Sequence, residues 1–215
     1  MNINLKKKKL KISTRTLTLA SIMTALVIVF TLLGNFIQLG FCNISLALVP
    51  IVIGAATCGV WVGAWLGFIN GLVILLAGQA TAFMGIHAFG TILVVLLKGT
   101  LCGLCAGLVY HLINKVNLIK RLKLDGKWKI KEKHNEIVAV VTASVVCPTV
   151  NTLIFILGCL TFFLPAMQAG AEAEGTSAFG YVLTMMVGIN YFVELAVNLL
   201  LAPVVSRLLE IKKKI

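Results

Sequence analysis

The stretch GVWVGAWLGFING (residues 59–71) places a glycine at every fourth position of an otherwise apolar segment. Four residues are just over one turn of an α-helix, so these glycines form one line along a helix. A line of small residues lets a second helix approach to backbone contact inside a membrane. The stretch therefore predicts a tightly packed membrane helix, with a docking surface for a partner as the alternative interpretation of the glycine line.

The whole composition points the same way. Of 215 residues, 60% are hydrophobic and only 12% are charged. A water-soluble domain cannot bury that much apolar surface, and several apolar runs are long enough to cross a hydrocarbon core of about 30 Å. Short alternating segments typical of transmembrane barrels are not seen. A second glycine line recurs at Gly99, Gly103 and Gly107.

The predicted fold is an all-α integral membrane protein, a compact bundle of six transmembrane helices with both termini cytoplasmic. Helices 1–4 occupy segment 16–113 and helices 5–6 occupy segment 135–210, separated by a basic cytoplasmic loop at 114–134 and flanked by basic ends at 1–15 and 211–215. The six helices are predicted at residues 16–37, 44–58, 61–76, 88–113, 137–164 and 181–209.

The basic residues give the orientation. The formal net charge is +12, and 18 of the 19 Lys and Arg residues lie in segment 1–15, in the loop after helix 4 or in the last nine residues, from Arg207 onward. Such clusters beside membrane helices mark the cytoplasmic side. This distribution predicts a multi-pass protein of the cell membrane and argues against nucleic-acid binding, which would also suit a basic chain.

Two charged side chains lie deep inside the predicted spans. Lys98 and Glu194 are about 15 Å and 20 Å from the outer ends of helices 4 and 6, at 1.5 Å per residue. A charge at such depth costs at least about 2.5–3.5 kcal/mol, so it is a functional candidate. They either form a salt bridge with each other or reach a cavity open to the outside.

Several amides accompany these charges. Asn190, Glu194 and Asn198 follow one another at four-residue intervals and so share one face of helix 6. We predict a substrate pocket in the outer half of the bundle, roofed by loops at 78–87 and 165–180, whereas Asn198 lies deeper and is predicted to form an interhelical hydrogen bond. The predicted pocket residues are Asn70, Lys98, Asn151, Asn190 and Glu194.

Catalytic and metal-binding signatures are missing from the sequence. There is no G-x-x-x-x-G-K-[ST], H-E-x-x-H or G-x-S-x-G motif. Cys102 and Cys105 form a lone C-x-x-C inside an apolar run, where cysteine behaves as a small hydrophobic residue. We therefore predict a protein that is not an enzyme, with no catalytic residue, no metal site and no cofactor.

Four stretches in order resemble the substrate-binding S components of energy-coupling factor (ECF) vitamin transporters, over most of the chain. They are NISLALVPIVIGAATCGVWVGAWLGFINGLVIL (43–75), GTILVVLLKGTLCGLCAGLVYHLI (90–113), CPTVNTLIFILG (147–158) and NYFVELAVNLLLAPVV (190–205). The general pattern is closest to the riboflavin/pantothenate-like branch.

The resemblance implies a subunit that captures a water-soluble vitamin or related micronutrient from outside. Its implied partners are a transmembrane coupling subunit and two ATPase subunits, which fits the missing ATP motif. In the family a small-residue A-x-x-x-A pattern on helix 1 docks the coupling subunit. The matching positions here are Ser21 and Ala25, and Gly59 and Gly63 are predicted to extend that docking surface. The loops between helices 1–2, 3–4 and 5–6 are implied to close over the substrate.

The residues leave other interpretations open. Lys98 suits a carboxylate-bearing ligand unless it is paired with Glu194, and Glu194 suits a ligand with amine or hydroxyl donors. A self-sufficient proton-coupled carrier using Glu194 is the main alternative function. A membrane enzyme acting on lipids and a purely structural membrane subunit are further alternatives.

Overall fold

The computed structural model of the chain describes residues 14–34, 38–39, 42–43, 45–122 and 129–214. These residues are helical apart from one pair of two-residue antiparallel strands and short turns, which confirms the all-α class. In chain order the elements are α1 (Thr14–Gly34), β1 (Gln38–Leu39), β2 (Cys42–Asn43), α2 (Leu48–Cys58), α3 (Val60–Leu76), α4 (Thr81–Leu122), α5 (Lys129–Thr161), α6 (Leu164–Ala173), α7 (Ala178–Tyr181), a π-helical segment (Val182–Val187) and α8 (Gly188–Lys214).

The two glycine lines pack against each other, at the most extensive helix interface of the described residues, that of α3 with α4. The backbones of Gly67 and Gly99 are in direct contact, and a Cβ atom at either residue would overlap the other residue's carbonyl oxygen. One turn away, Gly63 lies against Gly103 in the same way. Only glycine permits this approach, because any side chain would separate the two backbones.

Helix α2 is the buried centre of the bundle. Eight of its eleven residues are buried, including Leu48, Ile51 and Val52. Its neighbours are α1, α3, α4, α5 and α8. A helix that is apolar on all sides is stable only when it is surrounded, and here other helices supply that surrounding instead of lipid.

Four helical segments are long and apolar enough to cross a membrane: Thr14–Gly34, Thr81–Lys115, Glu136–Thr161 and Gly188–Arg207. The apolar helices α2 and α3 are shorter, with 11 and 17 residues. At 1.5 Å per residue α2 rises only about 16 Å, well short of a hydrocarbon core of about 30 Å. The structure thus provides four candidate spans plus two shorter apolar helices, and the count of six spans remains a prediction.

The predicted loop at 78–87 is mostly helical. Helix α4 starts at Thr81 and is interrupted at His87, whose backbone is extended (φ −153°, ψ 91°). The Nδ1 atom of His87 accepts a hydrogen bond from the backbone N–H of Gly90 at 2.9 Å. His87 therefore caps the second part of α4, which is a local interaction that the predicted loop did not include.

Two other predicted loops are also shorter than expected. The segment at 165–180 contains helix α6, which begins at Leu164 with Pro165 in its first turn, where a missing N–H costs nothing. In the predicted loop at 114–134, α4 continues to Leu122 and α5 begins at Lys129. The longer α4 and α5 have a local cause, because polar residues next to an apolar span continue a helix where no glycine or proline stops it. Helix α6 is instead a separate helix that follows a turn at residues 162–163.

Substituting Gly63 tests the backbone contact between α3 and α4. In Gly63→Ala the new Cβ atom would lie 2.6 Å from both the Ala55 Cβ atom and the Gly103 carbonyl oxygen. We expect a loss of about 1–3 kcal/mol, because overpacking forces backbone shifts. Thermal unfolding of the detergent-purified protein measures the change.

Gly85→Ala is the matched control, since a Cβ atom at this helical glycine meets no atom within 4 Å. Its higher helix propensity predicts a neutral effect or a gain of up to about 1 kcal/mol. Equal unfolding temperatures for the two variants would show that the α3–α4 approach is not under steric constraint.

Candidate functional site

Glu194 is the centre of a buried polar cluster. It lies on α8 with only 4% of its surface exposed. One carboxylate oxygen, Oε1, accepts a hydrogen bond from the backbone N–H of Ser45 at 2.9 Å. The side chain of Asn151 on α5 hydrogen-bonds the same carboxylate. The carboxylate thus joins three parts of the chain: α8, α5 and the turn that leads into α2.

Lys98 lies on the α4 side of this cluster. Its Nζ atom is 5.4 Å from the centroid of the Phe155 ring on α5, in a cation–π arrangement. The ammonium is close enough to Glu194 for a long-range electrostatic attraction. Among the described residues the two groups form no direct ion pair, so the salt bridge considered in the sequence analysis is replaced by a longer-range attraction.

Phe155 connects the cluster to the segment that precedes the His87 break. The Phe83 and Phe155 rings pack edge to face, with centroids 5.6 Å apart. The Phe83 ring also contacts the ring of Phe163, with centroids 5.1 Å apart. Phe163 is almost fully buried in the turn between α5 and α6. The ring under the Lys98 ammonium is therefore held in place by the segment that was predicted to roof the pocket.

Asn70 is buried, and its hydrogen bond joins α3 to α1. Its Oδ1 atom accepts a hydrogen bond from the Thr31 hydroxyl on α1 at 2.8 Å. The side-chain amide of Gln79 donates to the Thr31 carbonyl oxygen at 2.9 Å. Through Asn70 and Gln79, these bonds connect α1 to α3 and to the turn that follows α3. Amides often have this interhelical role in membranes. A role for Asn70 in ligand binding remains a prediction.

The two asparagines that share one face of α8 with Glu194 differ in burial and in hydrogen bonding. Asn190 is half-buried one turn from Glu194. Asn198 is buried, and its side-chain amide donates to the backbone carbonyl of Glu194 at 2.9 Å. That bond lies within α8, so the prediction of an interhelical hydrogen bond for Asn198 is wrong. An amide four residues after a carbonyl reaches it along the helix surface without any partner helix.

Three features of the site were missed from the sequence. The backbone N–H of Ser45 and the ring of Phe155 contact the two charged residues, as described above. The hydroxyl groups of Thr149 and Tyr191 are 3.1 Å apart and form a second α5–α8 contact. A signal existed for this pair, because Tyr191 precedes Glu194 by three residues and so shares its helix face.

No metal centre is seen among the described residues, where no three His, Cys, Asp or Glu side chains converge. The buried Cys102 thiol lies 3.0 Å from the Gly99 carbonyl oxygen, one turn back on the same helix. Such a contact satisfies a weak donor locally and indicates a packing role for this cysteine.

Comparison with known proteins identifies the family. A family model described as "ECF transporter, substrate-specific component" matches residues 15–206. The chain belongs to this family. No curated protein matches it. Among solved structures, the fold is similar to that of ThiT from Listeria monocytogenes, with a TM-score of 0.65 over 90% of this chain and 94% of that chain. The sequence identity is 16%, so this likeness shows a shared fold.

Family membership confirms the class of protein that the residues predicted. ECF substrate-specific components, or S components, are multi-pass proteins of the cell membrane that bind vitamin-type substrates for transport, and they are not enzymes. The apolar spans of this chain agree with that location. Within its apolar bundle the chain holds a polar cluster of a carboxylate, an amide and an ammonium, and a role for this cluster in substrate binding remains a prediction.

The predicted docking residues of this S component fall into two groups. Ser21 and Ala25 are exposed on α1, so a partner has access to them. Gly59 forms the turn between α2 and α3 with a φ of 108°, a backbone conformation that residues other than glycine rarely adopt. Gly63 is buried against Gly103 of α4, and its contribution to a docking surface stays a prediction.

Removing the Glu194 carboxylate tests the link between α8 and the start of α2. In Glu194→Leu the Ser45 N–H loses its acceptor, and we expect its hydrogen exchange to accelerate about 10- to 100-fold, the equivalent of a hydrogen bond to a charged group. Glu194→Gln keeps an oxygen acceptor and should show a smaller change. Hydrogen–deuterium exchange of the detergent-purified protein measures both.

Tyr191→Phe is the control, since it removes a hydroxyl from the same helix without touching the carboxylate. Its Ser45 exchange should equal that of the unsubstituted protein. If Glu194→Leu also leaves Ser45 exchange unchanged, the carboxylate does not hold this segment.

Proposed function

We propose that this S component is the substrate-binding subunit of an ATP-driven ECF importer. It captures a water-soluble vitamin or related micronutrient from outside, of the kind taken by the riboflavin/pantothenate-like branch. A transmembrane coupling subunit and two ATPase subunits deliver that substrate inward. The observation that carries the proposal is the buried cluster of Glu194, Asn151 and Lys98 within a chain of this family.

The orientation that we propose has six helices crossing or entering the bilayer and both termini in the cytoplasm. The charge distribution supports it, because the basic residues cluster at the two ends of the chain and in the 114–134 segment. In this orientation the turn into α2, the segment 81–87 and α6 all lie on the outer side. A substrate coming from outside would meet these three segments before the charged cluster.

The contacts suggest how these outer segments respond to a substrate. The Ser45 backbone is bonded to Glu194, and Phe83 is packed on the Phe155 ring beneath Lys98. A ligand that reached Lys98 and Phe155 would touch the residue that holds segment 81–87 and would lie beside Glu194, which holds the turn into α2. Its binding would then be coupled to closure of those segments, because the same side chains contact both.

Delivery inward requires docking, for which α1 offers the most accessible face. Ser21 and Ala25 are exposed and small, so a partner helix can approach the α1 backbone closely. Ser21 donates its hydroxyl hydrogen to the Leu17 carbonyl oxygen at 3.0 Å, which hides its polarity and makes it equivalent to a small apolar residue. Serine in place of alanine is therefore compatible with a docking role.

Native mass spectrometry of the detergent-purified protein tests the binding part of the proposal. The expected result is a co-purified small molecule of vitamin size, retained at one copy per chain. Proteoliposomes test the coupling part, with uptake of that molecule expected only when the coupling subunit and both ATPase subunits are present. Uptake by this chain alone, abolished in Glu194→Gln, would instead establish the proton-coupled carrier.

A bulky substitution on α1 tests the docking face. Ala25→Trp should reduce uptake by the complete complex at least about 10-fold, because the indole separates the helices at the interface. Its ligand binding should be unchanged, since the Ala25 side chain is exposed on the outside of α1. Uptake assays and titration of the purified protein with the co-purified ligand provide the two measurements.

Ala196→Trp is the matched control, because Ala196 is an exposed alanine of another apolar helix, α8. It should retain both uptake and binding. Loss of uptake in both variants, or in neither, would mean that α1 is not the docking face.

A further inference from the structure

The hydrogen bonds of the cluster distinguish its two ionisable groups, Glu194 and Lys98. Glu194 is almost fully buried, and its carboxylate already receives hydrogen bonds from the Ser45 N–H and from Asn151. Both donors belong to the protein, and the backbone donor is fixed by the turn into α2. The negative charge is therefore largely satisfied before any ligand arrives.

Lys98 is in the opposite situation. Its ammonium has three donor hydrogens, and within the described residues its one recorded contact is with the face of the Phe155 ring. Lys98 is also only partly buried, in contrast to Glu194. An ammonium with unused donors at membrane depth is costly, so an acceptor supplied by a ligand would relieve that cost.

We propose that Lys98 binds a carboxylate of the transported substrate, and that Glu194 is a positioning residue that holds the turn into α2. The inference rests on the proposed function, because it assumes that the cluster is the substrate site. It assigns to this S component a carboxylate-bearing, water-soluble ligand. Neutral and cationic vitamins are then excluded as its preferred substrates.

A carboxylate fits better than a neutral carbonyl for an electrostatic reason. Hydrogen bonds between two ionised groups are about twice as strong as neutral ones, and the apolar surroundings of the bundle increase this difference. The Glu194 charge opposes an incoming anion, but the carboxylate of Glu194 is engaged by its own donors. A cationic ligand would be repelled by the partly buried ammonium and would compete with Ser45 and Asn151 for the Glu194 carboxylate.

Phe155 adds a second requirement on the ligand. Its ring lies under the ammonium, and the rings of Phe155 and Phe83 pack edge to face. A ligand whose carboxylate contacts Lys98 places its neighbouring atoms against this aromatic surface. The site therefore suits a molecule with an apolar or planar portion next to the carboxylate, rather than a small inorganic anion.

Matched acid and neutral probes test the ligand class on the purified full-length chain. The pairs are pantothenate with panthenol, nicotinate with nicotinamide, and biotin with biotinamide, supplemented by riboflavin as a neutral probe and thiamin as a cation. Isothermal titration measures each. We expect one acid to bind at least about 10- to 100-fold more tightly than its neutral partner, the effect of one charge-assisted hydrogen bond.

Substitutions at Lys98 then assign the effect to this residue. Lys98→Met should remove the preference for the acid over its neutral partner, whereas Lys98→Arg keeps the positive charge and should retain most of it. Lys115→Met makes the same change at an exposed lysine of the same helix and should have no effect. Glu194→Gln should weaken binding of the neutral partner, because the turn into α2 is held less firmly, and should weaken the acid by a smaller factor, because the charge that opposes an anion is removed as well.

The outcomes separate this inference from the proposed function. Tightest binding of riboflavin, thiamin or a neutral partner would overturn the carboxylate assignment and leave the importer function standing. An acid preference that survives Lys98→Met would overturn the role of Lys98. Failure of every probe to bind, together with no co-purified ligand, would overturn the proposed function and this inference with it.

Discussion

The close backbone contact between α3 and α4 is the constraint on which the candidate site depends. Gly63 and Gly67 of one helix meet Gly103 and Gly99 of the other, so the two helices have a fixed register and rotation. Lys98 immediately precedes Gly99. Because Gly99 faces α3, its neighbour is turned about 100° away, toward Phe155 on α5. The glycine contact therefore determines where the one ammonium in the middle of the bundle is directed.

A second constraint acts on the acid. A carboxylate inside an apolar bundle must receive hydrogen bonds, and the turn into α2 supplies one of them through Ser45. This bond explains how a helix of eleven residues occupies the centre of the protein, with its first turn anchored to α8 and its apolar faces covered by neighbours. The same bond connects the turn into α2 to a side chain of α8.

Much of the architecture was predictable, and the errors have identifiable causes. The all-α class, the membrane location and the family follow from long apolar runs and from the order of four stretches. Segments 78–87 and 165–180 were predicted as loops because they contain glycine and polar residues, but they contain helical turns that pack through Phe83, Phe163 and α6. Local composition underestimates such turns, because their stability comes from tertiary contacts.

The residues of the candidate site were likewise predicted in part. Lys98, Asn151 and Glu194 were predicted from their polarity alone, and the structure brings them together. Asn198 was assigned to the wrong partner, because helical spacing indicates which residues share a face but not which group meets that face. The partner of Asn70 was not predictable from spacing either, and in the structure it is Thr31 on α1.

The sequence by itself determined that this chain is an apolar, helical membrane protein with one acid and one base where lipid-compatible residues would otherwise be expected. Those properties depend on composition and on local spacing along one helix. Only the tertiary structure decided that Glu194 is bonded to Ser45 and Asn151 while Lys98 lies over Phe155. Ser45 is 149 residues from Glu194 in the chain. Such a pairing depends on the rotation and register of several packed helices, and the glycine contacts fix these only once the helices have assembled.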